Sequence, residues 1–159
     1  MSDIFRTVGG LIRQYGTNDP FALSEALGIG VLFCDLPVDV KGFYLSLRGR
    51  QMVFINQELE ENEARVTCGH ELGHAVLHRD YNSVYLRAHT QQFNGRRYEL
   101  EADLFCACLL MEEPQTGDEA ITLEDIARRT GLPERLVRLY FGFRGRAAQG
   151  TCEEGAGQK

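Results

Sequence analysis

The sequence predicts an α+β fold, one domain with a small helical appendage, and three observations carry that prediction. Apolar residues recur at helical spacing at the start of the chain. Three short runs rich in aromatic and β-branched residues crowd between residues 31 and 56. Two long and two shorter helical segments follow. A length of 159 residues, 43% hydrophobic and 25% charged, leaves room for one ordinary soluble core and not for two.

Ile4, Phe5, Val8, Leu11 and Ile12 place a first helix over about Asp3 to Tyr15. Asn18-Asp19-Pro20 is a start signal, a capping residue followed by proline at the first helical position; the helix it opens runs through Phe21 and Leu23 to a stop at Gly28. Val31 to Cys34, Gly42 to Leu47 and Gln51 to Asn56 read as three antiparallel strands, with Arg48-Gly49-Arg50 as a hairpin turn. A helix from Leu59 to His78 carries Glu60, Glu61 and Glu63 in its first turn, where the helix dipole favours acids. A polar stretch from Arg79 to Gly95 separates it from a second long helix, about Arg96 to Met111. After a linker from Gln115 to Ala120, two short helices are expected between Thr122 and about Phe143, and a frayed tail from Ala147 to Lys159.

Charge and composition exclude several roles. Seventeen basic against 23 acidic residues give a net charge of -6, which argues against sequence-independent coating of nucleic acid. No apolar run approaches the roughly 18–20 residues of a membrane span. Asp3, Arg6 and two glycines within Met1 to Gly10 do not read as a secretory signal. Five scattered cysteines fit reduced thiols of a cytoplasmic protein better than a disulfide framework.

The chemistry lies in His70-Glu71-Leu72-Gly73-His74, an H-E-x-x-H inside a predicted helix. Residues four apart stand about 40° apart around a helix and one turn along it, so both imidazoles can reach one metal ion. Glu71, one residue on from His70, points to the flank, where it can take a proton from water that the ion activates. Gly73 weakens the helix and so needs a packing reason, for which a close approach to the sheet is the expectation. A catalytic zinc takes a third protein ligand and keeps an open position. Glu99 and Asp103 are four apart on one helix face. Glu99 would be the ligand, and Asp103 would accept the N–H of a ligating histidine. Glu101, about 200° round from Glu99, is the alternative ligand. His78 is two turns from His70 and reads as a packing or supporting residue; Cys68 lies about 160° round the helix from His70, and Cys106 and Cys108 read as buried small hydrophobes. An oxyanion-stabilising donor is expected, with Tyr81, Tyr85, His89 and Tyr98 as candidates. The strand Gln51 to Asn56, if exposed at a sheet edge, would align an extended substrate by backbone pairing.

Over about residues 18 to 145 the chain resembles the ImmA/IrrE-type metallopeptidases, which are gluzincin-like. The resemblance rests on Gly42-Phe43-Tyr44, Ile55-Asn56, the H-E-x-x-H with Leu77-His78, and Glu99-Leu100-Glu101-Ala102-Asp103 running into Leu109-Leu110-Met111. It implies a zincin-like core with His70, His74 and Glu99 as metal ligands, Glu71 as general base and Asp103 as the supporting carboxylate. It also implies an intracellular peptidase, using zinc or manganese, that cuts a helix-turn-helix repressor in phage, mobile-element or stress-response control. Met111 is followed by Glu112-Glu113 before Pro114, a small departure from the pattern, and the chain is too short for the sensory domain of some relatives.

The expected layout is a metallopeptidase core over 1–114, a helical unit over 115–146 and a tail over 147–159. Ala127, Gly131 and Val137 have the spacing of a helix-turn-helix, and residues 121–146 hold six arginines against three acids, a local +3 on an acidic chain. Arg135 and Arg138 would share a face of its second helix. A single motif on an acidic protein would bind DNA weakly, so packing on the core or docking of the substrate is favoured. Two rivals to proteolysis are a transcriptional regulator acting through this unit and an antirepressor that binds a repressor without cutting it.

Overall fold

The computed structural model describes residues 2–79, 94–111 and 122–150. Among them are six helices and three strands: α1 (Ser2–Tyr15), α2 (Pro20–Ala26), β1 (Gly30–Cys34), β2 (Gly42–Leu47), β3 (Arg50–Asn56), α3 (Glu61–Leu77), α4 (Asn94–Leu110), α5 (Leu123–Thr130) and α6 (Glu134–Gly150). Asp19 caps α2 by accepting the Ala22 backbone N–H at 2.9 Å, with Pro20 opening the helix. No helix among the described residues is long and apolar enough to cross a membrane.

The sheet corrects one expectation. It is mixed, with order β1-β3-β2: β3 runs antiparallel to β2 but parallel to β1, with Val31 opposite Val53 and Tyr44 opposite Val53 from the other side. The connection between β1 and β2 carries the chain past the place that β3 later fills. Asn56, at the end of β3 and buried, pins that connection: its side-chain amide donates to the carbonyls of Val40 at 3.1 Å and Leu36 at 3.3 Å. The β2–β3 hairpin turns on Arg48 and Gly49, both at positive φ (49° and 78°), as a two-residue turn matching strand twist requires. The segment Gln51 to Asn56 is therefore the central strand, not an exposed edge, and its backbone groups are taken by both neighbours.

Tyr44, Val53 and Ile55 point from the sheet into a core shared with Cys68, Leu72 and Ala75 of α3. Helix α3 is buried on two sides, by the sheet and by α4, whose Leu104, Phe105 and Leu109 are fully covered. Helix α1 and helix α6 pack against α4 in turn, and Leu136, Val137 and Tyr140 of α6 join the same core. α6 also runs to Gly150, well past Phe143 and into the segment expected to fray.

Candidate metal centre

Two close-approach glycines set the distance between α3 and α4. A Cβ on Gly73 would stand 3.0 Å from the Ala102 Cα and 3.1 Å from its carbonyl oxygen, and one on Gly69 would stand 3.1 Å from the Cys106 sulfur. The packing reason for Gly73 is thus the backbone of α4, not the sheet as expected. The far end of α3 is tied to the sheet: the Gln51 side-chain amide donates to the Ala75 carbonyl at 2.9 Å and to the Tyr44 hydroxyl at 2.7 Å. That hydroxyl donates to the Arg79 carbonyl at 3.0 Å.

On this frame His70 and His74 bring their Nε2 atoms within 3.3 Å of each other. Glu99 of α4 faces both, one carboxylate oxygen 3.2 Å from His70 Nε2 and the other 3.6 Å from His74 Nε2. These three are the group of His, Cys, Asp and Glu side chains among the described residues whose ligand atoms, all within 4.8 Å of one another, can hold a metal ion. The spacing fits: two donors each about 2.1 Å from one ion in a tetrahedral arrangement stand about 3.4 Å apart. Two imidazole nitrogens and one carboxylate are also a donor set suited to zinc. His74 is buried, while His70 and Glu99 line a cleft of about 590 Å³ together with Glu71, Asp103, Lys41 and Gly42.

Behind the cluster, His70 Nδ1 lies 3.0 Å from Asp103 Oδ1. An ionised carboxylate only accepts, so Nδ1 carries a proton towards Asp103, and Nε2 is turned towards Glu99 and His74. Burial pushes the His70 imidazole down, but its bonds to Asp103 and Glu99 outweigh burial and hold its pKa at about 10. Burial alone would raise the Glu99 carboxyl, yet the hydrogen bonds to His70 and His74 hold it well below the usual carboxylate range. The cluster is thus arranged to keep positive charge among its carboxylates. Glu71 is buried beside it and borders the cleft.

Other candidate residues fall elsewhere. Glu101, the alternative ligand, accepts from His78 Nε2 at 2.9 Å and from Arg97 Nε at 2.9 Å, away from the three-donor cluster. Tyr98 packs its ring 4.4 Å from that of His78 and is not among the residues lining the cleft. Tyr81, Tyr85 and His89 lie outside the described residues. Cys68 and Cys106 are buried, and burial raises both thiols, that of Cys68 to about 12. Two contacts escaped the sequence reading. Arg135 of α6 donates to the second oxygen of Asp103, and Asn62 of α3 donates to the Gly131 carbonyl at 2.6 Å. Neither has a local signal, because each joins residues brought close only by the packing of α6 on the core.

Residues 24–139 match the family described as the IrrE N-terminal-like domain, Peptidase_M78. The chain belongs to this family. It is also similar to a protein of Bacillus phage phi105 named "Uncharacterized immunity region protein 2", 34% identical over 132 residues, which are 81% of this chain and 83% of that protein. The resemblance read from the H-E-x-x-H and E-x-E-A-D motifs is thereby established at the level of the family, a peptidase family. Its match begins within α2 and ends within α6, so it takes in both helices of the candidate metal centre and part of the helical unit beyond them.

Proposed function

We propose that this Peptidase_M78 domain is a cytoplasmic, zinc-dependent metalloendopeptidase, with manganese as a usable substitute, that cuts one partner protein, a helix-turn-helix repressor. The observation that carries the reading is the convergence of His70, His74 and Glu99 with donor separations of 3.2–3.6 Å beside an open cleft. Family membership supports peptidase chemistry, and the immunity-region name of the phage relative supports a place in phage repressor control.

In this reading His70, His74 and Glu99 hold the ion. When bound, zinc polarises a peptide carbonyl and makes water acidic enough to attack near neutral pH. Glu71, at the flank of His70, takes the proton of the attacking water and passes it to the leaving amide nitrogen. Asp103 holds a proton on Nδ1, so that the proton a bound ion would displace is the one on Nε2, and that nitrogen would supply the lone pair. Backbone alignment of an extended substrate falls to β2, which begins at the cleft with Gly42 and, among the described residues, pairs with β3 on one side only. Such a peptidase needs restraint, and selection of one partner supplies it.

The helical unit supports docking over DNA reading. Gly131, Pro133, Arg135 and Leu136 line the same cleft, and Arg135 is engaged by Asp103. The test is incubation with zinc or manganese and the repressor encoded beside it. A discrete fragment, absent with Glu71→Gln, is expected. A stable complex with no shortened product would instead make the protein an antirepressor, and tight operator binding with full function in Glu71→Gln would make it a regulator.

A further inference from the structure

Three of the arginines in the C-terminal unit make ion pairs, and a fourth packs on a tyrosine. Arg128 pairs with Glu124 and Asp125 on its own helix, and Arg138 with Glu134 on its own helix, the ordinary pairing of exposed helix faces. Arg144 lies over the Tyr140 ring one turn away. Arg135 alone among these reaches another element. Its partner is Asp103, 32 residues back on α4, whose other oxygen holds His70.

We infer that Arg135 is a positioning residue of the metal centre, holding the outer oxygen of Asp103 so that the inner one fixes the His70 ring. A carboxylate with one anchored oxygen can still rotate and tilt about its bond to the imidazole; anchoring the second oxygen fixes its plane. The planar guanidinium suits this, because its N–H directions are rigid where those of an ammonium swivel. The origin of the side chain is fixed as well. Leu136 and Val137, the next two residues, are buried in the core. The turn before α6 is held by the bond from Asn62 to the Gly131 carbonyl. Gly131 itself sits at φ 70°, where an added Cβ would stand 2.4 Å from Asn62 Oδ1. The helix-turn-helix-like unit therefore supports the site mechanically as well as walling its cleft.

This inference rests on the metal reading above, and the test separates the two. Zinc affinity is measured by chelator competition, and the site geometry by the visible spectrum of the cobalt-loaded protein, for wild type, Arg135→Gln, Asp103→Asn and the double variant. Outer partners of ligating histidines are worth about 10–100-fold in metal affinity. Arg135, one bond further out, is expected at the low end, about tenfold, with an altered cobalt spectrum. In the Asp103→Asn background the same change should cost almost nothing, because the path to His70 is already cut. Arg135→Lys should recover part of the affinity but not the spectrum. Arg138→Ala, equally exposed on the same helix, should leave both unchanged, which controls for any general loosening of α6. An unchanged affinity in Arg135→Gln overturns the inference, as does an equal loss with and without Asp103. If wild type binds no zinc, the metal reading and this inference fall together. If wild type binds zinc and Arg135→Gln binds it equally, only this inference falls.

Discussion

Helices α3 and α4 meet through two histidine–glutamate contacts built from the same residue types. In one, His70 and His74 share Glu99; in the other, one turn beyond His74, His78 bonds Glu101 at 2.9 Å. The first brings three donors to one point beside the cleft, and the Glu99 side chain keeps 35% of its exposure. The second is closed. The side chains of His78 and Glu101 keep 7% and 14%, the second Glu101 oxygen is taken by Arg97, and Tyr98 lies across the imidazole. A histidine facing a glutamate is thus not enough to make a metal site. Converging lone pairs and access to solvent distinguish the two, and a shift of two residues along α4 decides which glutamate has them.

The sharpest way to break this comparison is to neutralise each glutamate in turn. Glu99→Gln should lower zinc affinity by at least about a hundredfold, since it removes a ligand charge from a three-ligand site. Glu101→Gln should change it by less than about threefold. Chelator competition on both variants checks this, and equal losses would mean that the second contact feeds the first. His74→Ala should resemble Glu99→Gln, whereas His78→Ala should leave one zinc per chain and lower only stability.

Glycine substitutions test what holds the two helices at this separation. In an exposed helix, Gly→Ala gains up to about 1 kcal/mol, and Gly142 of α6, with nothing within 4 Å of an added Cβ, should behave so. Gly73→Ala should reverse the sign. Its Cβ would press on the backbone of Ala102 and on Phe105 Cβ at 3.2 Å, none of which can swing aside, at a net cost of about 1–3 kcal/mol in urea unfolding. Because Glu99 rides on α4, the same variant should bind zinc less tightly. Unchanged stability in Gly73→Ala would show that α4 can move away from α3 without penalty.

How much of this was legible in the chain follows from how local each feature is. The convergence of His70 and His74 depends on i, i+4 geometry, and the shared face of Glu99 and Asp103 on the same rule, so sequence spacing was enough to nominate them. Strand positions were equally local: β2 falls on Gly42–Leu47 as expected, and β1 and β3 each begin one residue earlier than expected. The pairing was not legible, because an apolar run as short as Val31 to Cys34 fits a parallel or an antiparallel neighbour alike. Nor was the neighbour of Gly73, since a missing side chain shows that something comes close without showing what. The Arg135–Asp103 contact depends on how α6 packs on α4, and no periodicity encodes that.

The smallest expected effect is also the one that best separates the two histidine contacts, because they titrate in opposite senses. His70 has its folded pKa raised from 6.5 to about 10, since hydrogen bonds to Asp103 and Glu99 outweigh burial. Its contribution to stability is complete below about pH 6.5 and is lost as pH climbs towards 10. His78 has its pKa lowered, chiefly by burial, with Glu101 only partly opposing. The unfolded chain then takes up the proton first, so the His78 contribution is present above about pH 6.5 and is lost as pH falls below it. Glu99, held low, adds its own loss below about pH 4.5. The window from pH 5 to 6.5 therefore isolates His78, and that from 6.5 to about 8 isolates His70; nearer pH 9 the thiols of Cys68, Cys106 and Cys108, all raised by burial, add a loss of their own. Melting temperatures of chelator-treated protein should fall by a few degrees at each end. His78→Gln should flatten the acid limb alone, and His70→Gln the alkaline limb alone. Zinc should flatten the alkaline limb too, because a metal-ligating imidazole has already given up that proton. If both variants flattened the same limb, the two contacts would be one coupled network, and the contrast drawn between them would fail.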